Sequence, residues 1–167
     1  MTAIAFIGLG HMGAGMAANL ATAGHEVLGY DLSAEALDRA VGAGCKRAAS
    51  AAEAVGAADT VITMLPAGSH VRSVWTRDVI PNARAGSLLI DCSTIDVESA
   101  RFVAAAGEEA GFAVADAPVS GGIMAADAGS LAFMVGCRDE VFARVEAALA
   151  PMARVVIRAG GAGAGQA

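Results

Sequence analysis

Short apolar runs alternate with amphipathic stretches along almost the whole chain, and the connections between them are brief. "TAIAFIG" (2–8) is a strand-length run ending at glycine, and "HMGAGMAANLATAG" (11–24) follows with Met12, Met16 and Leu20 on one helical face. "EVLGYD" (26–31) reads as a second strand, and residues 33–42 place Ala34, Leu37 and Val41 on one helical stripe. Ser50 and Glu53 have capping-box spacing and open a short helix. "DTVITML" (59–65), closed by Pro66, is a third strand. The pattern continues with a helix over 69–78, a strand over 87–93, a helix over 96–110 and strands over 112–117 and 130–136. A helix over 138–149 and a strand over 154–159 complete it. Such alternation predicts an α/β fold, a mainly parallel sheet with helices on both faces, and places ligands outside the carboxyl ends of the strands. No change of composition marks an internal boundary, so a single domain over 1–167 is expected.

Composition narrows the function. Hydrophobic residues make up 56% of the chain and charged residues 17%, which argues against intrinsic disorder. Aromatics are only 4%, so the backbones must pack closely instead of filling a core with rings. A net charge of −6 with Lys46 as the sole lysine argues against nucleic-acid binding. Cys45, Cys92 and Cys137 form no CxxC or Cys/His cluster, so reduced thiols, a cytoplasmic setting and no metal site are expected. The N-terminus lacks the basic region of a secretory signal, and no uncharged apolar run reaches membrane-spanning length.

The first strand runs into "GLGHMG", with Gly8, Gly10 and Gly13 in G-x-G-x-x-G spacing. Gly8 suits a tight turn, Gly10 lets the backbone approach a pyrophosphate, and Gly13 lets helix and strand pack closely. The phosphate would rest on amides at the helix start, around His11 and Met12. Asp31 ends the second strand 18 residues after Gly13. Its carboxylate can accept from the ribose hydroxyls and repels a 2′-phosphate, and no arginine follows before Arg39. NAD is therefore expected in preference to NADP.

Four segments occur in order: "IGLGHMGAGMAANL" (7–20), "TMLPAGSHV" (63–71), "GSLLIDCSTID" (86–96) and "DAPVSGG" (116–122). Together they resemble the 3-hydroxyisobutyrate dehydrogenase family of β-hydroxyacid dehydrogenases, relatives of 6-phosphogluconate dehydrogenase. The resemblance implies a Rossmann-type, doubly wound cofactor domain and NAD-dependent oxidation of a small 3-hydroxy acid to its semialdehyde. For 3-hydroxyisobutyrate that reaction belongs to valine degradation; tartronate semialdehyde (glyoxylate-type) reduction is the alternative within the family. It also implies that Leu65 and Pro66 line the cofactor and that His70 contacts the dinucleotide, where Asn is usual. Thr94 would lie near the nicotinamide, and Ser120, Gly121 and Gly122 would hold the substrate carboxylate.

The family's general acid/base is a lysine that follows a glycine motif resembling "GAGAGQA" (161–167) and opens a long helix into an all-helical domain. The chain is thus expected to stop a few residues before that lysine, to hold no catalytic residue and to act as a dinucleotide-binding module. Lys46 lies far from any matching motif. His11, His25 and His70 are poor substitutes, and Asp91 and Asp116 are expected to orient loops. The substrate side of the sheet, with Met64, Leu65, Pro118, Val119, Ile123 and Met124, is expected to be bare. Self-association into a homo-oligomer, or a disordered segment over 160–167, is the expected result.

Overall fold

The protein's structure is a computed structural model, and it describes residues 2–167. Six strands form a parallel array: β1 (Ala3–Ile7), β2 (Glu26–Tyr30), β3 (Lys46–Arg47), β4 (Thr60–Thr63), β5 (Leu88–Asp91) and β6 (Ala113–Asp116). Their order across the sheet is β3-β2-β1-β4-β5-β6. The chain winds outward from β1 to the β3 edge, then returns to lay β4 on the other side of β1. That reversal opens a crevice above the carboxyl ends of β1 and β4, where such sheets take their ligands.

Beyond β6 the sheet changes direction. After β7 (Val119–Ser120) comes β8 (Leu131–Gly136), which is antiparallel to both β6 and β7; β9 (Ala153–Gly160) runs parallel to β8. The helices are α1 (His11–Thr22), α2 (Ala34–Gly42), α3 (Ala51–Gly56), α4 (Gly68–Val74), α5 (Val97–Glu109), α6 (Gly122–Ala128) and α7 (Asp139–Leu149). The α/β architecture expected from the alternation is present, doubly wound as the resemblance implies. The two-residue strands β3 and β7, helix α6 and the reversed direction of β8 and β9 were not anticipated. The helix expected over 69–78 is α4 followed by a π-helical turn at Trp75–Val79, closed by the Ile80 amide donating to the Trp75 carbonyl at 2.9 Å.

Period-2 alternation in the central strands divides the apolar residues between two cores. Ile4, Phe6, Ile62, Leu88 and Ile90 face one side, against Met16 and Leu20 of α1 and Val145 and Leu149 of α7. Ala5, Ile7, Val61 and Leu89 face the other, against Val55, Val71, Trp75 and Val103. With so few rings, small residues set the spacing. A β-carbon on Gly15 of α1 would lie 2.9 Å from the Asp127 amide nitrogen and 3.0 Å from the Ala126 carbonyl carbon, so α6 docks directly on glycine backbone. Asn19 completes the joint by donating to the carbonyls of Ala126 at 2.9 Å and Asp127 at 3.1 Å.

The carboxyl edge is organised by Asp91, which is 1% exposed. Its Oδ1 accepts from the Thr63 hydroxyl and the Ser93 hydroxyl, both at 2.7 Å, and from the Ser93 amide at 3.3 Å. Thr63 in turn accepts from the Trp75 indole at 3.0 Å, and Ser93 accepts from the Leu65 amide at 2.7 Å. Asp116 sits directly across from Asp91 in the β5–β6 register. Burial pushes Asp91 up to about 6, against the hydrogen bonds from Ser93 and Thr63, with Asp116 adding to the rise. Burial raises Asp116 as well. Asp91 and Asp116 thus orient loops, as expected.

The segment 160–167 is not loose, which corrects the expectation of disorder. Gly163 is buried and its amide donates to Asp116 at 2.7 Å. The Gln166 side chain donates to the Ser93 carbonyl at 2.6 Å and accepts from the Ile95 amide at 3.2 Å. Pro118 is buried and Met64, Leu65 and Val119 are half-buried, so among the apolar residues expected to be bare only Ile123 and Met124 are largely exposed.

Two measurements test this packing. Gly15→Ala gains up to about 1 kcal/mol of helix propensity but overpacks against fixed backbone, so a net loss of about 1–2 kcal/mol is expected in urea melts. Gly42→Ala, with no atom of the described residues within 4 Å of the new β-carbon, should be neutral or stabilising. The second test concerns Asp91. Its folded value of about 6 lies above the unfolded 3.8, so folding takes up a proton. That contribution is complete below the unfolded value and is lost as pH rises through the folded one. Between about pH 4.5 and 7.5 the wild type should lose on the order of 2 kcal/mol relative to Asp91→Asn; parallel stability profiles would contradict this.

Candidate functional site

The turn from β1 into α1 is shaped by backbone contacts that exclude side chains. Gly8 has φ +101°, and a β-carbon there would run into the Met64 carbonyl; one on Gly13 would run into the Gly8 carbonyl. Among the described residues, Gly10, the N-cap of α1, has no atom within 4 Å of where its β-carbon would be. The three glycines therefore differ in role: a left-handed turn at Gly8, open approach at Gly10 and close packing at Gly13. The first intrahelical bond runs from the Ala14 amide to the Gly10 carbonyl at 2.8 Å. The amides of His11, Met12 and Gly13 precede it and are free to meet an anion.

Charge placement supports that use. Helices α2, α3, α5 and α7 each carry an acid in the first turn: Glu35, Glu53, Glu98, and Asp139 with Glu140. Helices α1, α4 and α6 carry none. An acid there would stabilise the helix through its dipole and would compete with a phosphate. Asp31 stands beside the loop, where its Oδ2 accepts from the Leu9 amide at 2.7 Å and its Oδ1 from the Ser33 amide at 2.8 Å. These bonds fix the carboxylate at the mouth of the turn and leave further lone pairs for ribose hydroxyls.

A cleft of about 630 Å³ runs across this point, lined by Gly8, Gly10, His11, Met12, Gly13 and Asp31 from one side and by Leu65, Pro66 and His70 from the other. Nine residues singled out in the sequence are thus brought together. Thr94 and Ser120–Gly122 are not in this cleft. Thr94 is exposed in the loop after β5; Ser120 ends β7, and Gly121 and Gly122, with φ of +133° and +75°, lead into α6. Sequence reasoning missed Val74, Arg77 and Asp78, which also line the cleft. Their spacing from His70, at i+4, i+7 and i+8, was the available signal.

The remaining candidates lie elsewhere. His25 is at the opposite end of the sheet, its Nδ1 accepting from the Thr2 amide at 3.2 Å in a smaller pocket with Asp59 and Arg144. Lys46 is on the edge strand β3 and pairs with Glu26 at 2.8 Å. Cys45, Cys92 and Cys137 are buried free thiols, each raised by burial. Among the described residues no helix is long and apolar enough to cross a membrane.

Comparison with known proteins agrees with this geometry. The family described as the NAD binding domain of 6-phosphogluconate dehydrogenase matches residues 3–161. The chain is 52% identical over its whole length to a probable 3-hydroxyisobutyrate dehydrogenase of Mycobacterium tuberculosis, covering 56% of that protein. It is 47% identical over 168 aligned positions to an NAD-dependent L-serine dehydrogenase of Pseudomonas aeruginosa, with 99% of this chain and 56% of that one covered. A solved structure of Mycobacterium tuberculosis 3-hydroxyisobutyrate dehydrogenase with L-serine superposes with a TM-score of 0.97 at 51% identity, over 99% of this chain and 57% of that one. The chain therefore spans about half the length of the curated relatives it matches. With the glycine turn, the free amides of α1 and Asp31 gathered on one cleft, and the family match running through nearly all of the sheet, this chain belongs to the NAD-binding domain family of 6-phosphogluconate dehydrogenase.

Proposed function

We propose that this chain is the cofactor-binding part of an NAD-dependent dehydrogenase that oxidises a small 3-hydroxy acid to its semialdehyde. The observation that carries the reading is the cleft in which the α1 amides and Asp31 stand together. Bound there, NAD would supply the hydride acceptor. His11, Met12 and Gly13 would hold its pyrophosphate, Asp31 its adenosine ribose, and Leu65, Pro66 and His70 the opposite wall. Thr94 would face the nicotinamide. Ser120 and the Gly121 and Gly122 amides would hold the substrate carboxylate. 3-Hydroxyisobutyrate and L-serine, the substrates in the relatives' names, are both 3-hydroxy acids. We read the protein as cytoplasmic and as a homo-oligomer. The exposed Ile123 and Met124, 49% and 85% accessible, support association.

A second reading, that these 167 residues bind the cofactor without turnover, is favoured by the position of Lys46. The only lysine in the chain is engaged with Glu26 on β3, at the edge of the sheet beyond β2. Without a general acid/base, a loss of about 10²–10⁴-fold in rate is expected.

NAD should bind more tightly than NADP. At 4–5 Å and an effective dielectric near 20, Asp31 and a 2′-phosphate repel by about 3–4 kcal/mol per charge pair before relaxation. Solvent screening reduces that, so Asp31→Asn should narrow the preference by about ten-fold. Calorimetric titration with both cofactors measures this, and equal wild-type affinities would remove the role given to Asp31. In an assay at 340 nm, turnover of 3-hydroxyisobutyrate or L-serine by the 167-residue chain should be negligible. Robust NADH production would show that a residue other than lysine does the acid/base work.

A further inference from the structure

The Gln166 side chain makes both hydrogen bonds that a neighbouring strand would make. Its Nε2 donates to the Ser93 carbonyl at 2.6 Å, and its Oε1 accepts from the Ile95 amide at 3.2 Å. The two backbone groups lie on either side of Thr94, whose own side chain is exposed. The same loop is tied to the cofactor cleft, because the Ser93 hydroxyl accepts from the Leu65 amide at 2.7 Å. We propose that Gln166 is a positioning residue: by stapling the backbone across Thr94 it fixes the Thr94 side chain for the nicotinamide end of the cofactor.

Gln166 reaches this loop because the turn before it is itself anchored. Asp116 accepts from the Gly163 amide at 2.7 Å. A β-carbon on Gly165 would come within 2.7 Å of Asp116 Oδ2 and 2.9 Å of Pro118 Cδ, so only glycine lets the turn lie flat on β6. A side-chain amide satisfying a carbonyl and an N–H two residues apart locks the intervening φ and ψ angles. With the staple removed, Thr94 would sample several orientations, and the cost would fall on the ligand that needs one of them.

This inference rests on the NAD reading above, and the test separates the two. NADH and ADP-ribose share the adenosine and pyrophosphate, and only NADH carries a nicotinamide. Titration calorimetry on the 167-residue chain should show that Gln166→Ala weakens NADH by about three- to ten-fold, the range of one or two ordinary hydrogen bonds. ADP-ribose affinity should change by less than about two-fold. Gln166→Glu keeps an acceptor for Ile95 and loses the donor to Ser93, so it should weaken NADH selectively as well and decides the matter if the alanine variant does not fold. Equal weakening of both ligands, or wild-type NADH affinity in either variant, would overturn the positioning role. Failure of the wild type to bind either ligand would overturn the NAD reading and this inference with it.

Discussion

One oxygen of Asp91 receives three hydrogen bonds, and the donors come from the segments that build the site. A buried carboxylate is costly unless donors surround it. Here the need is sharper because Asp116 lies opposite on the next strand. Thr63 and Ser93 donate to Asp91 and so present their lone pairs outward, where Trp75 and Leu65 donate to them. The direction of each hydroxyl is thereby fixed. The π-helical turn, the loop lining the cleft and the loop carrying Thr94 are all tied to that single acceptor.

What was legible in the sequence was local. Gly8, Gly10 and Gly13 act within one turn, and Asp31 directly follows the adjacent strand, so spacing alone was enough to place them. The Ser50 cap was legible for the same reason: Ser50 accepts from the Glu53 amide at 3.0 Å, while the Glu53 side chain reaches one residue past the N-cap to accept from the Ala49 amide at 3.1 Å. What was not legible depends on distant partners. Strand β3 is Lys46 and Arg47, both exposed, with no apolar alternation, and takes its place by register with Leu28 and Gly29. Helix α6 begins at the second of two glycines and packs on Gly15 and Asn19, more than a hundred residues earlier. The direction of β8 and β9 leaves no trace in periodicity, because alternation is the same for parallel and antiparallel strands.

The terminal glycines show how composition can mislead. A run such as "AGGAGAGQA" has the makeup of a flexible linker. In the fold, Gly163 (φ +85°) and Gly165 are there for closeness, against Arg101, Met134 and Asp116. One acid from the sheet, Asp116, and one side-chain amide, that of Gln166, turn that run into a fitted part of the carboxyl edge.

The absence of acids from the first turn of α1 has a kinetic side. The protein carries a net charge of −6, and a dinucleotide is itself an anion, so the two repel at long range. Attraction begins only close in, at the helix amides and at Arg77 in the cleft. Added salt shortens the repulsive tail more than it weakens contacts at a few ångströms. Capture of the cofactor should therefore quicken as ionic strength rises, the reverse of an enzyme whose surface draws its ligand in from afar.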